Sequence, residues 1–191
     1  MERAADYLAE DFTASIAAGD YLARFRDAER FGACCRACPN YGRSWGCPPF
    51  DYDVAERIGR YRSVLLVATK ITPAIASLPL AASQALIRPE RIRLETRLRE
   101  MERDYGGLAC AYVGECLYCP RGSCTRSAGL PCRHAGLVRP SLEAYGFDIG
   151  RTLGELFGIE LKWGAEGRMP DYLTLVCGFF HDAPEDPVWV R

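Results

Sequence analysis

The chain has 191 residues, 49% of them hydrophobic, and its 24 Lys and Arg nearly balance 25 Asp and Glu, giving a formal charge of -1 and a pI near 6.2. That length supports one compact domain with a real core, and the balanced charge excludes a global electrostatic pull toward nucleic acid or an anionic membrane surface. The stretch from Met1 to Leu22 is broken by Glu2, Asp6, Glu10, Asp11 and Asp20 and so is unlike a secretory leader, and the longest apolar runs, 71–80 and 172–180, fall well short of the roughly 20 residues that span a bilayer.

In chain order, Asp20 can cap a helix with Leu22, Phe25, Ala28 and Phe31 on one face, leading into the first group of cysteines. Ser63–Thr69 is a short, nearly continuous apolar run rich in β-formers, as expected of a central strand covered on both faces. Ala85–Tyr105 carries Ile87, Leu94, Leu98, Met101 and Tyr105 on one stripe, with Pro89 near the first turn and Gly106-Gly107 as the stop. Its arginines alternate with Glu90, Glu95, Glu100 and Glu102, which reads as a solvated face supported by the Glu95–Arg99 pair. Leu108–Val113 is a second strand, residues 140–144 start a helix, Ile149–Phe157 form another ended by Gly158, and Tyr172–Phe180 is a third strand.

Strand, helix and strand from Ser63 to Val113 suggest a right-handed crossover unit with parallel pairing. The expected fold is therefore a single α/β domain over 1–191, with a small mostly parallel sheet, helices, and two cysteine-rich metal-binding loops at about 34–50 and 114–134. On a parallel sheet the second loop would lie at a carboxyl end, where open α/β folds place ligands.

Ten cysteines in a chain not expected to be secreted point to metal or redox chemistry in a reducing cytoplasm rather than to structural disulfides. The first group is Cys35-x2-Cys38-x8-Cys47, where the x2 spacing lets two thiolates reach one metal and a turn through Pro39, Asn40 and Gly42 can return Cys47 to them. Pro48-Pro49 would stiffen the exit. Adjacent Cys34 and Cys35 point in different directions, and Cys35 is the chosen ligand. The second group, Cys116-x2-Cys119-x4-Cys124-x7-Cys132, is a complete set for tetrahedral zinc or a four-iron cluster.

Cysteine precedes proline at Cys38, Cys47 and Cys119, the thiols far outnumber two histidines, and Tyr41, Trp45 and Phe50 could shield a cluster. These features favour one or two iron–sulfur clusters, 4Fe-4S above other types, with Zn as the alternative. The first group could hold a cluster by three thiolates with one iron open, recruit Cys34, or exchange a ligand with the second.

Plainer readings apply elsewhere. Cys110 and Cys177 fall inside strands and read as core. His134 reads as a neighbour of the second group, His181 as structural, and Arg133 and Arg139 as surface residues. Nucleotide-binding and hydrolase signatures such as Gly-x4-Gly-Lys-Ser/Thr, His-Glu-x-x-His and Gly-x-Ser-x-Gly are missing, so no enzyme class and no catalytic residue is assigned.

The run Cys35-x2-Cys38-Pro39-Asn40-Tyr41-Gly42-x2-Trp45-x-Cys47-Pro48-Pro49-Phe50, with Cys116-x2-Cys119 and Pro131-Cys132-Arg133-His134 leading into 139–146, resembles a prokaryotic cysteine-rich family of predicted metal-binding proteins whose function is unknown. The resemblance covers most of the chain beyond the first helix. It implies Cys35, Cys38, Cys47, Cys116, Cys119, Cys124 and Cys132 as ligands, although the gap before Cys124 departs from ferredoxin-like spacing. The leading expectation is electron transfer or anaerobic redox metabolism with an unidentified redox protein partner, without nucleic acid or membrane, and with homo-oligomer formation open. The alternatives are a zinc-stabilised interaction module and an enzyme with an open-coordination cluster.

Overall fold

A computed structural model describes residues 6–111, 114 and 116–190. Among these residues the chain forms one four-stranded sheet in the order β1-β2-β4-β3, where β1 is Tyr7–Ala17, β2 Ser63–Pro73, β3 Leu108–Cys110 and β4 Leu173–His181. The helices are α1 (Ala18–Phe25), α2 (Ala28–Ala37), α3 (Val54–Gly59), α4 (Ser83–Tyr105) and α5 (Ile149–Phe157).

Every hydrogen-bonded strand pair is antiparallel, which corrects the expected mostly parallel sheet; the architecture is α plus β. β2 and β3, joined by α4, do run in the same direction because both lie antiparallel to β4, but β4 inserts between them. The apolar run of β2 reports that both faces are covered, and covering helices can flank an antiparallel sheet as well as a parallel one. Alternation sorts the two faces. Val64, Leu66 and Ala68 pack with Tyr21, Phe25, Ile58, Phe147 and Leu153, whereas Leu65, Val67 and Ile71 pack with Leu86, Leu94, Leu98 and Met101 of α4. The sheet is thus the middle of three layers.

Several local expectations change. The helix expected from Asp20 to Phe31 is two helices, because the backbone extends at Arg26 to bridge Phe147 and Asp27 then caps α2 by accepting from Arg30 N–H at 3.0 Å. α4 begins at Ser83, so Pro89 lies inside it, and Tyr105 is exposed. Glu90, Arg91 and Glu95 are buried rather than on a solvated face, since α4 is overlaid by β1 and the second cysteine loop. β3 ends at Cys110; Tyr112 and Val113 of the expected strand lie outside the described residues. Residues 143–145 form only a 3-10 turn. β1 and α3 are additional to the elements expected from the sequence, and β1 leaves Leu8 and Phe12 exposed along a sheet edge.

Gly107, with φ 109°, makes the α4–β3 turn possible: a Cβ there would sit 2.4 Å from the Phe180 carbonyl oxygen. No helix among the described residues is long and apolar enough to cross a membrane.

Candidate metal centres

The first cysteine loop grows from the end of α2. Asp27 N–H donates to the Gly146 carbonyl at 2.9 Å, Asp148 N–H to Phe25 at 2.8 Å, and Arg26 Nε to Tyr145 at 2.7 Å. These bonds seat α2 against the 143–145 turn. Cys35 faces inward, its Sγ 4.0 Å from the Glu143 carbonyl oxygen, while Cys34 is exposed. Cys38 follows the helix end, its N–H bonded to the Cys35 carbonyl at 3.0 Å.

The loop then folds back as its spacing suggests. Gly42, at φ 67°, donates its N–H to the Pro48 carbonyl at 2.9 Å, and Cys47 N–H reaches the Ser44 carbonyl at 3.0 Å. The Pro48-Pro49 peptide is cis. Phe50 stacks on Tyr52 with ring centroids 5.2 Å apart, and the Tyr52 and Tyr145 hydroxyls are 3.0 Å apart, so Phe50 anchors the loop exit in the core instead of roofing the thiols.

Arg126, which sequence reasoning missed, reaches across from the second loop. Its guanidinium donates to the Ser44 carbonyl at 2.7 Å and also to the carbonyls of Cys47 and Pro49, and it lies over the Trp45 ring. Arginine suits this task because its planar fork carries five donors, enough for several carbonyls at once. Nothing in the sequence separated it from the other surface arginines.

The second loop is closed at its base by Ala111 N–H donating to the Pro140 carbonyl at 3.1 Å. Beside that closure, Arg139 forms an ion pair with Glu102 of α4 at 2.5 Å, and Glu102 also accepts the Ala109 N–H at 2.8 Å. Arg139 is therefore a half-buried anchor and not a surface charge, whereas Arg133 is exposed and bonds the Ser123 carbonyl. Within the loop Thr125 Oγ1 donates to the Pro131 carbonyl at 2.9 Å and Leu130 N–H to the Thr125 carbonyl at 3.1 Å. Tyr118 bonds Glu95 on α4 and sits beneath Arg99.

The thiols line neighbouring hollows that share lining residues. A cavity of about 1910 Å³ is lined by Cys34, Cys35 and Cys38 together with Cys116 and Cys119. A second, of about 770 Å³, is lined by Cys116, Cys119, Cys124, Cys132 and His134, and a narrow gap of about 30 Å³ separates Cys47 from Cys116. Cys116 borders all three. His134 adjoins the second group as expected, and its backbone N–H points at Cys132 Sγ at 3.3 Å.

Burial raises the Cys35 thiol above its ordinary pKa, and the neighbouring Cys38 and Cys34 raise it further. Burial likewise raises Cys47, where Cys38 and Cys35 add to the rise, and Cys116, where Cys119 and Cys124 do. Thiols that raise one another in this way hold protons as neutral groups and release them to a cation. Among the described residues no three His, Cys, Asp or Glu side chains stand close enough together to grip a metal ion, so the loops must draw in for the thiols of a group to share one. The donor set itself, soft sulfur gathered on adjoining walls, fits zinc or iron–sulfur chemistry.

Cys110 and Cys177 are fully buried on opposite faces of the sheet, away from these cavities. His181 is buried and stacked on Phe179, with burial lowering its pKa.

No curated protein and no solved structure matches the chain. The profile of a family described as predicted metal-binding protein (DUF2284) matches residues 23–177, which take in both cysteine loops and the sheet from β2 into β4, and the chain belongs to that family.

Proposed function

We propose that this is a two-centre iron–sulfur protein that passes electrons to a protein partner in the reducing cytoplasm. Cys35, Cys38 and Cys47 would hold the first centre, and Cys116, Cys119, Cys124 and Cys132 the second, with clusters of the 4Fe-4S class favoured and zinc the alternative. The observation that carries the reading is the placing of Cys116, which borders the cavity of the first group, the cavity of the second and the gap to Cys47. Two groups of thiols sharing a wall suit a relay better than two independent zinc staples, which gain nothing from proximity.

A thiolate-held cluster supplies a one-electron site whose potential follows charge, hydrogen bonds to sulfur and solvent exposure. The chain provides those controls. Arg126 brings positive charge to the first loop and fixes its carbonyls, the His134 N–H meets Cys132 Sγ, and Tyr118 with Glu95 backs the second loop onto α4.

A second reading, an enzyme with an open iron at the first centre, draws on the size of the larger cavity. At about 1910 Å³ it exceeds the roughly 300–1,000 Å³ of common ligand sites, and Arg88 and Arg121 on its wall could meet an anionic substrate.

Protein purified without oxygen is expected to be brown and to contain iron and acid-labile sulfide. On reduction, its electron paramagnetic resonance spectrum should be broadened by coupling between neighbouring clusters. Colourless protein with stoichiometric zinc would overturn the iron–sulfur reading, and two sharp independent signals would overturn the relay. A change in that spectrum on adding cyanide would favour the open-iron enzyme.

A further inference from the structure

β1 is an edge strand without the usual guards. Its 11 residues are about twice the common strand length, and its register with β2 runs one for one from Tyr7 opposite Pro73 to Ala17 opposite Ser63, so no bulge breaks it. Natural edges are blunted by lysine, proline, inward-pointing charge or a covering segment. From Phe12 to Ala17 the sequence Phe-Thr-Ala-Ser-Ile-Ala carries no charge and no proline. Thr13, Ser15 and Ala17 are exposed, and among the described residues β1 pairs with β2 alone.

The alternation of the ladder tells which main-chain groups lie open. At the two ends of the β1–β2 register, Ala18 N–H donates to the Arg62 carbonyl at 3.0 Å and Ala74 N–H to the Asp6 carbonyl at 2.8 Å. Antiparallel strands alternate hydrogen-bonded and non-hydrogen-bonded pairs, so the even-numbered residues of β1 bond β2 and the odd-numbered ones turn N–H and C=O outward. Among the described residues no hydrogen bond reaches the outward main-chain groups of Asp11, Thr13, Ser15 and Ala17.

The side chains beside that row are apolar. Phe12, Ala14 and Ile16 share one face of β1, where Ile16 packs against the cluster of Tyr21 and Phe25 from α1 and Phe12 is left 39% exposed. Val188 and Val190, 66% and 60% exposed, flank Trp189, whose Nε1 donates to Asp11 Oδ2 at 2.9 Å, so they lie at the same edge. Exposed apolar residues gathered beside open main chain are the mark of an interaction surface.

We infer that β1 is the contact between two copies of this chain, paired antiparallel about a two-fold axis at Ala14 so that their sheets become one. In that register Thr13 of one copy exchanges main-chain bonds with Ser15 of the other, and Asp11 with Ala17, all of them outward-facing residues. Phe12 meets Ile16 of the second copy and Ala14 meets Ala14, in the closer, non-hydrogen-bonded kind of pair. Glu10 falls opposite Ala18 and Asp11 opposite Ala17, so no carboxylate faces another. This self-complementarity is what a two-fold contact requires, and it selects a second copy over an unrelated strand.

The test uses the full chain, kept reduced and oxygen-free. Sedimentation equilibrium at about 0.1 mM, enough to populate a dimer of micromolar affinity, is expected to give twice the 21.2 kDa of one chain. Amide exchange followed by NMR should slow with rising concentration at Thr13, Ser15 and Ala17. Ser15→Pro removes only an outward donor, a change an edge strand tolerates, and should weaken the dimer by about tenfold or more through the two bonds lost across the axis. Thr13→Lys should also weaken it, by restoring the missing edge charge. At concentrations where wild type is monomeric, both variants should melt with it.

A single-chain mass at the higher concentration would overturn the proposal, as would open-ended aggregates, which a closed two-fold contact does not form. A dimer of wild-type strength in both variants would overturn it too. So would a dimer that leaves Thr13, Ser15 and Ala17 exchanging freely, because the contact would then lie on another surface. That exchange is read on wild type and decides the matter even where a variant fails to fold.

Discussion

The two cysteine loops reach a common wall by different means. The first begins on a helix: α2 carries Cys35 into place, the 143–148 segment braces α2, and the Phe50, Tyr52 and Tyr145 rings fix the exit. The second contains no α-helix between Ala111 and Pro140 among its described residues, and it hangs from α4 by ionic and polar anchors, Arg139–Glu102 and Tyr118–Glu95. One loop inherits its order from the core and the other from charge. The difference teaches that the second loop, with few apolar contacts of its own, stands to gain more order from a metal than the first.

The largest blow to this contrast should come from Glu102→Ala. It strands the Arg139 guanidinium, about 20% exposed, and removes the acceptor of Ala109 N–H. A loss of about 3 kcal/mol is expected on thermal or denaturant unfolding, near the low end for breaking a buried pair. Faster amide exchange should be confined to 108–140. Equal loosening of 38–50 would show that the loops are one cooperative unit.

A second effect belongs to the first loop without metal. Burial raises Glu143 from 4.5 to about 7, so the folded chain holds a proton there that the unfolded chain releases. For a group raised in this way, stability is fully present below pH 4.5 and is lost as pH rises through about 7. The metal-free wild type should lose at most about 3 kcal/mol across that range, and about 2 kcal/mol once cavity water screens the charge. Glu143→Gln should abolish this slope. An unchanged slope in that variant would place the titrating group elsewhere.

Arg126→Ala should act more weakly, by about 1.5 kcal/mol, because it removes charge-assisted bonds to backbone that water can partly replace. Amides of 42–47 should exchange about tenfold faster while those of α4 hold. Unchanged exchange would mean that the Gly42–Pro48 bond alone shapes the loop.

Much of the scaffold was legible because it follows local periodicity. The β2 run, the α4 stripe of Leu94, Leu98 and Met101, the α5 helix with its Gly158 stop and the strand at 173–181 all carry their own pattern, as do the Cys35-x2-Cys38 and Cys116-x2-Cys119 spacings. β1 was not legible: as an exposed edge strand paired only with β2, it has a single deeply buried apolar residue, Ala9, to mark its inner face. Nor could the break at Arg26–Asp27 be read, because its cause is Phe147, far along the chain.

By itself, the sequence determined the types of β2, α4, α5 and β4 and the placing of Cys110 and Cys177 inside strands, since propensity, hydrophobic period and short-range spacing act within a few residues of chain. Only the tertiary structure decided that the last strand enters the middle of the sheet and makes every pairing antiparallel, that Arg126 joins the two loops, and that the Glu143 backbone carbonyl comes to lie beside Cys35 Sγ. Strand order and cross-loop contacts are set by which distant surfaces bury one another, and no local window of sequence contains both partners.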